Sequence, residues 1–289
     1  MERESLLTVL TILLGGVALQ VIGAWLSTYA NPRPHQDLER AAWLRLWRPL
    51  LPAVIVTAWL CGWALSQPDP VPDRVGPLVF IVCAPFALIG IRAVIRAGWA
   101  LLATPGELGI ATVGLIWPRI VMSPEFARHL DERAIQAARA HERAHARHFD
   151  PLRIWLAQFA TDLQWPWASA QKRFDTWLEA LEQARDDEAR MAGIEGSDLA
   201  AALVASVRFH RNIGAGLCAR LNESARLNEN RSALEERVAR LLQPLESAVA
   251  DKMPTTLQLV WWIVFAVAAA VALGRLYGAR LIDALLAFS

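Results

Sequence analysis

Residues 141–145 read His-Glu-Arg-Ala-His. Two histidines four positions apart on a helix project from one face, so both imidazoles can reach a single metal ion. A glutamate beside the first histidine can approach that ion without binding it and take a proton from an attacking water. This is the pattern of zinc-assisted hydrolysis, with His141 and His145 as metal ligands and Glu142 as general base. The plainer alternative is a helix that is merely rich in His, Arg and Glu, to which His129 and His148 lend weight. In a chain with only six His the spacing rarely arises by chance, and the metal reading leads.

A hydrolytic zinc site needs a third protein ligand and an open position for water. Glu179, Glu182, Asp186, Asp187 and Glu188 cluster on one helical stretch downstream. Glu182 and Asp186 share a face at i, i+4, so Glu182 can bind the ion while Asp186 orients a ligand imidazole. Alone, the cluster reads as an acidic solvent face beside Arg185 and Arg190. Next to His-Glu-x-x-His the ligand reading is preferred, with Glu179 and Glu188 as alternatives to Glu182.

The elements that must hold these residues are mostly helical. Ile110–Val113 and Arg119–Met122 are short β-type runs around a Gly114…Pro118 turn. The second run either pairs with an extended substrate by edge addition or is simply core sheet. Ser123-Pro124-Glu125 has the form of a helix N-cap followed by Pro at the first helical position. Asp131 can cap a longer helix that starts at Glu132 and stops at Asp150-Pro151. Breaks follow at Trp165-Pro166-Trp167 and at Gly193 and Gly196. Ala219 to Leu242 reads as an amphipathic helix whose Arg and Glu residues form a solvated face.

Composition places this polar segment beside a membrane. The chain of 289 residues is 55% hydrophobic and 20% charged, with 13 Trp against 2 Tyr; its mean hydropathy is +0.29. That is too apolar for an ordinary soluble domain, and the indole load suits a membrane interface. A net charge of +1 excludes a broadly basic nucleic-acid binder. Cys61, Cys83 and Cys218 lie too far apart for a cysteine zinc site or a disulfide framework.

Four apolar runs emerge: Leu6 to Leu26, Leu50 to Leu65, Val75 to Ile91 and Leu257 to Gly274. The first is read as a retained span because it lacks the basic start of a signal peptide. Arg33, Arg40, Arg45 and Arg48 place the first loop in the cytoplasm. The second loop, with Arg74 beside two Asp, then lies outside, as do both termini. The expected fold class is mainly α, a polytopic membrane protein with about four transmembrane helices and a cytoplasmic α-helical metallopeptidase domain carrying a short β element. Its expected divisions are 1–101, with spans near 5–27, 49–66 and 76–97; 102–256, the peptidase domain; and 257–289, the fourth span and tail.

The motifs together resemble those of the BlaR/MecR-type integral-membrane zinc metallopeptidases, a gluzincin-like bacterial family. Val113-Gly114-Leu115…Pro118-Arg119-Ile120-Val121 resembles the family's stretch ahead of the catalytic helix. His141-Glu142-x-x-His145 resembles its catalytic motif, and Asp150 the acidic residue five positions later. Glu182-x-x-x-Asp186, followed by Glu188-Ala189, resembles the Glu-x-x-x-Asp that supplies the third ligand and its support. Ala233 to Val238 resembles the helix leading to the last span. Arg143 stands where the family is usually apolar, and Arg185 where it usually has Cys, which loosens the register expected of the third ligand. The chain ends about a dozen residues after the fourth run, so the extracellular penicillin-binding sensor, and with it β-lactam recognition, is expected to be absent.

The resemblance implies a Zn²⁺ cofactor, a protein or peptide substrate, a place in the bacterial cytoplasmic membrane, and self-cleavage or a homo-oligomer among its options. CAAX-prenyl-protease and HtpX-like membrane proteases share the same two motifs and form the nearest rival. A non-catalytic signalling or scaffold protein with a degenerate peptidase domain is the rival from another class. A transporter is disfavoured, because the spans show no inverted repeat and few buried charges.

Overall fold

The computed structural model describes residues 38–66, 77–102, 109–164, 167–213, 231–244 and 265–277. The elements are α1 (Leu38–Trp47), α2 (Leu51–Ser66), α3 (Pro77–Leu102), β1 (Ile110–Val113), β2 (Arg119–Met122), α4 (Pro124–Ala127), α5 (Glu132–Arg147), α6 (Asp150–Leu163), α7 (Ala168–Met191), α8 (Gly196–Ile213) and α9 (Arg231–Leu242), followed by a helical stretch, α10, at 265–277. The chain divides into two compact units, one of residues 1–90, 160–174 and 248–289, the other of 91–159 and 175–247.

In the first unit α2 and α10 meet backbone to backbone. A Cβ on Gly62 would lie 2.2 Å from the Val271 carbonyl oxygen, and one on Gly274 would lie 2.0 Å from that of Trp59. Glycine at both crossings is what lets these helices approach so closely. Buried Gln164 donates to the carbonyl oxygens of Leu46 (3.2 Å) and Ala160 (3.1 Å), while Arg173 donates to its Oε1 at 2.6 Å.

The helices α2 and α3 coincide with the second and third apolar runs, and both leave large apolar side chains exposed, among them Ile55, Phe80, Ile81, Leu88 and Val94. Among the described residues, however, no helix is long and apolar enough to cross a membrane. The fold therefore does not show the four expected spans. The first run and residues 257–264 of the fourth lie outside the described residues.

The second unit holds most of the polar segment. Here β1 and β2 pair antiparallel, Ile110 opposite Met122 and Val113 opposite Arg119, as the two β-type runs predict. Gly114 turns the hairpin at φ +97°, and a Cβ there would meet the Trp117 carbonyl oxygen at 2.5 Å. Only glycine fits. Ser123 caps α4, its Oγ accepting from the amides of Glu125 and Phe126. Asp131 caps α5, its Oδ1 accepting from the Ala134 amide at 2.7 Å.

Small side chains draw the helices around α5. Ala137, Ala189, Leu199, Ala200 and Leu241 form one buried cluster, bringing together α5, α7, α8 and α9. A second joins Ala134, Ala138 and Ala202 to Ile110, tying α5 to α8 and β1. At Gly196 a Cβ would lie 1.9 Å from the Leu241 carbonyl oxygen, so α8 starts hard against the end of α9.

One backbone feature serves the site directly. Between α5 and α6, Phe149 takes the left-handed conformation at φ 54°, which costs an L-residue with a bulky side chain about 1–2 kcal/mol. That reversal lets α6 begin at Asp150, whose carboxylate returns to His145 five residues back. Asp150-Pro151 thus starts the next helix as well as ending the one before it, with Pro151 in the first turn, where it is tolerated.

Candidate metal centre

Helix α5 sets His141 and His145 one turn apart, their ring centroids separated by 4.7 Å. Their Nε2 atoms face each other at 3.0 Å. Glu182 arrives from α7, with Oε2 3.4 Å from His141 Nε2 and Oε1 3.5 Å from His145 Nε2. One ligand atom from each of these three residues lies within 4.8 Å of the others. Ligand atoms about 2.0–2.1 Å from a tetrahedral zinc stand about 3.3 Å apart, so the spacing fits a metal.

The other ring nitrogens explain why the Nε2 atoms face inward. His145 Nδ1 lies 2.9 Å from Asp150 Oδ2, and His141 Nδ1 lies 2.9 Å from Asp186 Oδ1. The second contact is close enough for an ion pair, but the ring N–H is not aimed straight along it. With a carboxylate beside each Nδ1, both Nε2 atoms face the space shared with Glu182, where a cation that displaced the His141 proton could be held.

Each of these aspartates is clamped by an arginine. Arg185 donates to Asp150 through Nε (2.5 Å) and Nη2 (3.0 Å), and Arg153 adds Nη1 at 3.0 Å. Arg237 donates to Asp186 through Nε (2.6 Å) and Nη2 (2.9 Å). Its Nη1 lies 2.9 Å from Glu182 Oε2. Two matching chains result, His145–Asp150–Arg185 and His141–Asp186–Arg237.

These charges shape the protonation of the site. Burial alone would push His141 down, but the carboxylates of Asp186 and Glu182 hold its pKa up to about 9. Burial would raise Glu182; the Arg237 charge and the hydrogen bond to His141 outweigh it and keep the carboxyl well below its ordinary value. Asp150 and Asp186 are likewise held low against burial, by His145 and Arg185 in one case and by Arg237 and His141 in the other. The Glu182 side chain stays 30% exposed, leaving the cluster open on that side to water or substrate.

Glu142 sits beside the first histidine, and the Thr112 hydroxyl of β1 lies 2.7 Å from its Oε2 and 2.8 Å from its carbonyl oxygen. The hairpin therefore touches the residue expected to act as base.

Of the three candidate carboxylates, Glu182 joins the histidines. Glu188 faces Arg147 and His148 instead, and Glu179 is not in the cluster. Arg185 does not disturb the register of α7: it turns to Asp150, and Arg143 is exposed. The charges of the 219–242 stretch require a correction. Residues 214–230 lie outside the described residues, but on α9 Arg237 and Arg240 point to Asp186, Glu182 and Asp187, not to a solvated face. Their signal was the apolar register of Val238 and Leu241, which turns the same side of α9 inward. Nothing in the sequence singles out Thr112.

Residues 110–167 match the model of a family described as BlaR1 peptidase M56. That segment is similar to BlaR1-type peptidases, the family that the sequence resembles. The matched segment spans the hairpin, α5 with both histidines, and α6; α7 with Glu182 and α9 with Arg237 lie beyond it. No curated protein and no solved structure matches the chain.

Proposed function

We propose that the chain is a membrane-embedded zinc endopeptidase of the BlaR/MecR type, cutting a regulatory protein, a membrane-proximal protein or itself. The observation that carries this reading is the approach of His141, His145 and Glu182 at the spacing of a tetrahedral metal site, inside a segment matching a peptidase family. Zinc held there would polarise a peptide carbonyl and make a water acidic near neutral pH.

The residues around it have separable tasks. Asp150 and Asp186 stand at the Nδ1 sides of the two imidazoles, so that both Nε2 atoms would be left free to hold a metal. Glu142 accepts the proton of the attacking water and delivers it to the departing amine. Thr112 holds the Glu142 carboxylate against β1. The open side at Glu182 admits the substrate.

The membrane part of the proposal rests on the four apolar runs and on the apolar side chains that α2 and α3 leave exposed. A lipid bilayer would cover them, with the peptidase segment on the cytoplasmic side and both termini outside. The family match favours this reading over the HtpX-like one.

The test is a Glu142→Gln variant of the full chain in lipid nanodiscs, scored for zinc content and for cleavage. Zinc at the wild-type level with proteolysis lost by about 100-fold or more supports the assignment. Cleavage at the wild-type rate removes Glu142 from the chemistry.

A further inference from the structure

Arg237 reaches the cluster from a helix that contributes no metal-facing atom of its own. Its planar guanidinium has three nitrogens, and all three are engaged: Nε and Nη2 on the two oxygens of Asp186, and Nη1 near Oε2 of Glu182. One rigid plane thereby sets the angle between two carboxylates that stand four residues apart on α7. These carboxylates face the two histidines from different sides, Asp186 at Nδ1 of His141 and Glu182 at Nε2 of both rings.

We infer that Arg237 is a positioning residue of the metal site, fixing Glu182 and Asp186 in the orientation that makes three side chains a preformed metal cage. The inference rests on the proposed metal-binding role of His141, His145 and Glu182. Without the guanidinium, two anions one helical turn apart repel each other, and each gains freedom to leave its histidine. Lysine is a poor replacement. Its ammonium is a point charge that cannot grip Asp186 through both oxygens while meeting Glu182.

The same helix supplies an internal control. Arg240, three residues on, pairs with Asp187 and also lies 3.4 Å from the Gln183 carbonyl oxygen. It ties α9 to α7 much as Arg237 does but touches neither Glu182 nor Asp186. If Arg237 only fastens the two helices together, losing either arginine should have the same effect on the metal.

The experiment is zinc affinity of the full chain in nanodiscs, measured by competition with a chromophoric chelator. Its arms are wild type, Arg237→Met, Arg237→Lys and Arg240→Gln, with helix content followed by circular dichroism. Arg237→Met is expected to weaken zinc binding by about 10- to 100-fold, the usual cost of losing an outer partner of a metal ligand. Arg237→Lys should recover part of that loss, and Arg240→Gln should stay within about threefold of wild type. An Arg237→Met affinity within about threefold of wild type overturns the inference, as does an Arg240→Gln loss equal to it. Should Arg237→Met fail to fold, Arg237→Lys against Arg240→Lys decides in the same way. A wild-type chain that takes up no zinc sinks the metal reading itself, and the inference with it.

Discussion

Arg185 and Asp150, thirty-five residues apart in sequence, form a buried two-point ion pair directly behind His145. A buried pair of this kind is costly to break from one side, because the remaining charge is left without compensation. Arg185→Met is therefore expected to destabilise the second unit by about 3–5 kcal/mol. The double variant Arg185→Met/Asp150→Asn should recover a substantial part of that loss, since it leaves no lone buried charge. Urea unfolding followed by tryptophan fluorescence measures both; a single variant as stable as wild type contradicts the role given to the pair.

The same pair sets a limit at acid pH. Asp150 is held below its ordinary carboxyl pKa of 3.8 in the folded chain, against burial, by His145 and Arg185. Its stabilising contribution is complete above that ordinary value and is lost as pH falls from there towards the folded pKa. Asp150→Asn should therefore show a weaker dependence of stability on pH below about 4 than wild type. Parallel acid-stability curves for the two proteins would count against this.

His141 gives the opposite dependence. Its folded pKa of about 9 stands above the ordinary 6.5. In the metal-free chain the stabilisation is complete below 6.5 and fades as pH rises through about 9. A metal must also displace that proton, so zinc uptake at pH 7.5 should release about one proton per ion. Calorimetry in buffers of different ionisation enthalpy counts it. Uptake with no proton released would mean that His141 is neutral in the metal-free chain.

How much of this was legible in the sequence depends on the distance between the residues involved. His141, Glu142 and His145 lie within one turn and a third of a helix, so a periodicity suffices to place them. The hairpin, the Ser123 and Asp131 caps and the breaks at Gly193 and Gly196 are equally local, and the structure has them where turn and cap chemistry put them. The clamps are different. Arg185 meets Asp150 only because α7 packs beside the start of α6, and Arg237 meets Glu182 only because α9 closes on α7 through Val238 and Leu241. From sequence, each arginine is one more charge on an amphipathic helix. Thr112 is hidden for the same reason, since its partner Glu142 is thirty residues away.

Thr112 can be tested at little structural cost. Thr112→Val keeps the shape of the side chain and removes the hydroxyl beside Glu142. Zinc content should be unchanged, while kcat falls by about 10-fold and KM hardly moves, because only the aim of the base is affected. A change in KM alone would assign Thr112 to substrate binding.

Gly196 offers a remote handle on the cluster. Adding a methyl group there puts it 1.9 Å from the Leu241 carbonyl oxygen, one helical turn beyond Arg237 on α9. Gly196→Ala should displace α9 and cost about 1–3 kcal/mol of stability. Zinc affinity should fall with it, and thermal unfolding with and without zinc reports both effects. Full stability in this variant would show that α8 and α9 do not meet as closely as described.

The most direct test of the whole account is X-ray absorption at the zinc edge on the full chain purified in nanodiscs. The expected result is about one zinc per chain, four-coordinate, with two imidazole nitrogens and carboxylate oxygen at about 2.0–2.2 Å. Glu182→Ala should lose the carboxylate contribution while keeping both imidazoles. A spectrum of sulfur ligands, or a wild-type chain that retains no zinc, would contradict the claim that His141, His145 and Glu182 hold a catalytic metal.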